Sequence, residues 1–178
     1  MRKLMASVLL VHLGTGSLFA QFGPTGNTTL QVNVASEAAI QVDTATTNLT
    51  AAGTAFNDYT GTTNFTYKIR TTKVGGAGSI TLQITSDFSP AGGPSVASPP
   101  SAGDALAYTC TVAGSGTACG GSQTSSTTAA TGVAAFGANA HSSKNGTGGN
   151  SVNWTLTNDP VYETGAFSGT ATFTISAT

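Results

Sequence analysis

Residues 64–85 read NFTYKIRTTKVGGAGSITLQIT, and apolar side chains fall on alternate positions twice in succession. Phe65, Tyr67 and Ile69 alternate with Thr66, Lys68 and Arg70, and after the glycines at 75, 76 and 78 the pattern resumes with Ile80, Leu82 and Ile84. A period of two belongs to a strand with one face buried and one in water, whereas an amphipathic helix repeats every 3.6 residues. The glycine-rich turn between the runs predicts a hairpin.

The same alternation recurs on both sides of this stretch. Residues 28–35 set Leu30, Val32 and Val34 against Thr29, Gln31 and Asn33, and residues 39–43 repeat the pattern with Ile40 and Val42. Downstream, residues 105–112 alternate through Leu106, Tyr108, Cys110 and Val112. Residues 133–136 form a short apolar run, Val152, Trp154 and Leu156 make an inward set, and residues 168–177 close with Ala171, Phe173 and Ile175. Pro90, Pro94, Pro99 and Pro100 exclude residues 89–103 from a sheet interior and assign them to a surface loop. Residues 120–130 read as a polar low-complexity run, and the glycine- and asparagine-rich residues 138–150 as a second loop.

About eight or nine short strands, with no helical periodicity, predict an all-β fold: an antiparallel two-sheet immunoglobulin-like β-sandwich plugged by Trp154. A closed barrel is the alternative. At the N-terminus, Arg2 and Lys3, the apolar run from Met5 to Leu13 and the SLFA ending at Ala20 have the parts of a secretory signal peptide. Residues 1–20 are therefore read as a signal peptide and residues 21–178 as a single sandwich domain, exported to the cell exterior or surface with no membrane span after cleavage.

Charged residues make up 7% of the chain, against about 25% in an ordinary soluble domain, so threonine, serine, asparagine and glycine supply the polar surface. Beyond residue 20 there are four cations, Lys68, Arg70, Lys73 and Lys144, against seven carboxylates. That balance excludes a basic face for nucleic acid. The low charge is compatible with self-association. Cys110 and Cys119, in an exported chain, predict a disulfide stapling a loop or hairpin.

The residues that do chemistry are sparse. His141 is the one histidine after residue 20 and stands in no Ser-His-Asp or Gly-x-Ser-x-Gly context. The acids lie singly, without the pairing that glycoside hydrolysis requires or a calcium-loop spacing. The expectation is a protein that is not an enzyme, with no catalytic residue, metal or cofactor.

Function is then expected in surfaces and edges. Leu30, Val32 and Val34 lie on a segment able either to complete its own sandwich or to pair with the open edge of a neighbour. The opening TTLQVNVASEAAIQV at residues 28–42 and the final GAFSGTATFTISAT at residues 165–178 resemble the two ends of secreted bacterial fimbrial-type and spore-coat-U-like sandwich subunits. That resemblance implies noncatalytic extracellular building blocks or adhesins, partnered by themselves or by other cell-surface proteins. Two departures stand out: the disulfide lies late in the chain, and the ending ISAT lacks the aromatic-terminated close common in chaperone–usher pilins. The alternative is a monomeric carbohydrate- or protein-binding module, with Tyr59, Tyr162 and Phe167 as surface-binding aromatics and glycans as possible partners.

Overall fold

The computed structural model describes residues 25–178; the proposed signal peptide lies outside them. Ten strands, all paired antiparallel, follow in chain order: β1 (Glu37–Val42), β2 (Thr50–Ala51), β3 (Tyr59–Arg70), β4 (Gly78–Ser89), β5 (Leu106–Thr111), β6 (Gly116–Ala118), β7 (Gln123–Thr124), β8 (Thr131–Phe136), β9 (Thr147–Leu156) and β10 (Ser168–Ala177). They form two sheets, β1-β3-β9-β5-β7 with β2 paired to β3, and β10-β4-β8-β6. The expected two-sheet all-β architecture is present, and the strands belong to the unit Val34–Thr178.

The alternating residues do make the core. Phe65, Tyr67 and Ile69 from one sheet meet Ile80, Leu82 and Ile84 from the other, joined by Tyr108, Val133, Val152 and Trp154, and all are buried. Aromatic rings lock the layers together, with Tyr67 edge-on to Phe136 at 5.0 Å and Phe65 tilted against Phe173 at 5.9 Å, while within one sheet Tyr108 tilts against its cross-strand neighbour Trp154 at 5.5 Å. The buried hydroxyls find partners: Tyr67 donates to Ala113 O at 2.7 Å, and Tyr108 lies 2.7 Å from Thr131 Oγ1.

Two expectations are corrected. The first is the hairpin at residues 64–85, because β3 and β4 belong to different sheets. Their apolar faces oppose one another across the interior, where each buries more than it would side by side, and residues 71–77 cross the roughly 10 Å between sheets. Thr71 anchors that crossing, donating to Gly137 O and accepting from Ala140 N, both at 2.8 Å. Gly76 permits it, since a Cβ there would meet Thr72 O at 2.3 Å.

The second correction concerns residues 28–35. No strand is assigned over residues 25–36, and Leu30, Val32 and Val34 are 91%, 86% and 60% exposed. The alternation is there in sequence, but this chain does not use it as a first strand of its own sandwich.

The expectation for Cys110 and Cys119 holds. The disulfide forms, with the Cα atoms 5.5 Å apart. It staples the loop between β5 and β6, and in doing so joins β5 of one sheet to the residue following β6 of the other. It therefore ties the two layers together along one flank.

Candidate functional site: an open cleft between the sheets

The two flanks of the sandwich differ. On the β5–β6 flank the disulfide links the layers covalently. On the opposite flank β1 packs across to β10, but β1 ends at Val42 and the chain then departs as an irregular wall through Thr44 and Leu49 to β2. The layers separate there around a cleft of about 1130 Å³. Its floor reaches the core at Trp154, Leu156, Leu106 and Ile84, and its far wall is the first half of β10, through Ala171 and Phe173.

β10 is an edge strand. It is hydrogen-bonded to β4 from Ser168 to Ala177, and among the described residues no strand pairs with its other side. Its inward residues Ala171, Phe173 and Ile175 are only half-buried, unlike their counterparts on β4. A ten-residue edge strand with unpaired N–H and C=O groups, its first half beside the cleft, is an uncommon feature, because sandwiches normally shorten, charge or cover such edges. Here neither charge nor proline interrupts β10.

Three loop systems gather at the mouth: residues 52–58, 90–105 and 157–167. Asn158 N–H donates to Asp58 Oδ1 at 3.3 Å and its side-chain amide to Asn57 O at 2.9 Å. Glu163 N–H donates to Gly92 O at 2.8 Å. Tyr162 donates its hydroxyl to Asp104 Oδ2 at 3.2 Å, and burial, reinforced by the Asp104 charge, pushes its phenol well above the usual range. The phenol thus stays a proton donor. The Ser101 hydroxyl and the Val161 N–H hold Asp159 below the ordinary carboxylate value.

Asp87 organises the proline-rich loop. Its Oδ1 accepts from Phe88 N and Val96 N at 2.9 and 2.8 Å, and its Oδ2 from Ser95 Oγ and Ala97 N at 2.6 and 3.1 Å. Burial raises the pKa of this carboxyl, and the four donors together outweigh that effect and hold it below normal. A depressed folded-state pKa contributes stability that is complete above the unfolded value of about 3.9 and is lost as pH falls through the lower folded value. Carboxyl-carbon NMR titration should find Asp87 ionising below that reference value, and Ser95→Ala should move it upward. A midpoint at or above the reference would mean that the loop is not held this way.

The three aromatics singled out in the sequence converge. Tyr59, Tyr162 and Phe167 all line this cleft and are half-buried, with Tyr59 opening β3 instead of standing in a loop. Sequence reasoning missed Phe56, 62% exposed at the same cleft and held at φ 62°, a backbone region that bulky residues seldom adopt. The turn around it is fixed by Asn57, whose side-chain amide donates to Ala52 O at 2.7 Å. His141 lies at the other end of the sandwich, exposed and bridged to Arg70, with its Nε2 3.0 Å from Asn139 Oδ1. Among the described residues no three His, Cys, Asp or Glu side chains gather to hold a metal ion, and no helix is long and apolar enough to cross a membrane. No family model, curated protein or solved structure matches this chain.

Proposed function

We propose that the protein is a noncatalytic extracellular subunit, structural or adhesive, of the fimbrial or spore-coat-U type, which self-assembles on the cell surface by strand exchange. Residues 28–34 of one copy lie along the free edge of β10 in another, and Leu30, Val32 and Val34 enter the cleft. The observation that carries this reading is a matched pair within one chain: an alternating apolar segment left exposed, and an unpaired edge beside an apolar cleft. Seven extended residues span about 24 Å, which fits within the roughly 34 Å of the ten-residue β10. Burying one leucine and two valines contributes roughly 1.5–3 kcal/mol each, and the β10 backbone groups gain partners. Export through a signal peptide, and the disulfide that persists outside the cytoplasm, fit this role.

The convergence of Tyr59, Tyr162 and Phe167 on the same cleft favours a second reading, a monomeric module that binds a glycan or a protein segment there. Light scattering after size exclusion, with negative-stain microscopy of the exported protein, separates the two. Strand exchange predicts ladders or filaments, abolished by the double substitution Leu30→Asp and Val32→Asp, and a synthetic peptide of residues 28–34 that competes with assembly. A protein that stays monomeric at every concentration and binds glycans through Tyr59 and Tyr162 would overturn the first reading in favour of the second.

A further inference from the structure

The few side-chain charges of the sandwich are sorted by end. Strand directions and registers bring all four cations of the sandwich, Lys68, Arg70, Lys73 and Lys144, to the end where β3 finishes and β9 begins. Arg70 is opposite Glu37 and bridged to His141, and Lys68 packs near Gly146 of the turn that carries Lys144. Glu37, salt-bridged to Arg70 at 3.2 Å, is the one acidic side chain there. The loops at the opposite end carry Asp58, Asp87, Asp104, Asp159 and Glu163 with no lysine or arginine, and Asp43 sits on the flank between. With 7% charged residues in the chain, a sorting this complete makes each end electrostatically distinct.

We infer that the two ends are complementary docking faces for successive copies, which stack head to tail with the basic end of one against the acidic end of the next. The inference rests on the self-assembly reading and adds its polarity. Two independent features agree on the direction. The chain enters the sandwich at the basic end, where Arg70 Nε donates to Ala35 O at 2.7 Å, so the exchange segment is rooted there. The cleft mouth, with Tyr162, Asp104 and Glu163, is at the acidic end. A segment leaving the basic end of one copy therefore meets the acceptor cleft of another only when unlike ends face each other. Two like ends brought together repel and misplace the segment, so the charges select the productive encounter. The Debye length is about 8 Å at physiological ionic strength, and a twelve-residue strand is about 40 Å long, so each end acts on its neighbour with little influence from its own far end.

The test follows assembly of the exported full chain by light scattering in low and high salt. Lys73→Glu with Lys144→Glu makes both ends acidic, and Asp58→Lys, Asp159→Lys and Glu163→Lys together make both ends basic; the lysines, Asp58 and Glu163 are exposed and Asp159 is half-buried, and thermal melts check that each variant folds. Each variant alone should assemble about tenfold more slowly than the parent at low salt, and the difference should shrink at 0.5 M salt. An equimolar mixture of the two should recover a rate near that of the parent, because alternating copies restore unlike contacts. Parent-like rates for each variant alone, or a mixture no faster than its components, overturn the inference. The Leu30→Asp, Val32→Asp protein is the control: if it too assembles normally, or if the parent does not assemble, the strand-exchange reading fails as well.

Discussion

Trp154→Ala is expected to lower the unfolding free energy by about 3–5 kcal/mol, read from denaturant midpoints at unchanged m-value. The indole is 5% exposed, and its ring packs 5.5 Å from that of Tyr108. Its Nε1–H donates to Thr63 Oγ1 at 2.8 Å, and Thr63 is in turn hydrogen-bonded to Thr47 in the wall of the cleft. Removing the indole leaves a void on the β9 face and takes away the donor that orients Thr63, itself buried. Because Trp154 also forms part of the cleft floor, the substitution should weaken peptide competition at temperatures where the domain remains folded. A change below about 1 kcal/mol would place the side chain outside the core.

Asn150→Ala is expected to cost about 3 kcal/mol despite removing only a short polar side chain. Asn150 is 1% exposed and sits opposite Phe65, where the β3–β9 register shifts before Tyr67 meets Thr147. Its Oδ1 accepts from Ala113 N at 2.9 Å, and its amide donates to Phe65 O at 3.0 Å and Thr147 O at 2.6 Å. Alanine would leave three backbone groups without these partners, and each buried polar group left unsatisfied costs about 1–3 kcal/mol. Asn150→Asp should be at least as damaging, since the carboxylate replaces the donor with an acceptor facing two carbonyl oxygens. Denaturant unfolding of both variants checks this, and near-parental stability of Asn150→Ala would show that water or backbone relaxation replaces the bonds.

These two residues mark how far the sequence could be read. Trp154 is legible because Val152, Trp154 and Leu156 alternate, and strand period together with hydrophobicity specifies a buried face locally. Asn150 reads as loop because it lies in a glycine- and asparagine-rich run. Its burial depends on β3 and on the backbone of Ala113, which come from elsewhere in the chain. Period-two patterning is a property of each strand alone, so the sequence by itself determined the all-β class, most of the core and the longer strands, but not the short β2, β6 and β7 nor the fact that the alternating residues 28–35 stay unpaired. Pairing is a property of two strands and of the space between sheets. The tertiary structure alone decided that β3 and β4 face each other across the interior, that the disulfide joins two layers, and that β10 is left with a free edge beside an open cleft. The segregation of charge to two ends has the same origin: residues distant along the chain meet at one pole only once the strand directions are fixed, and no local pattern encodes that.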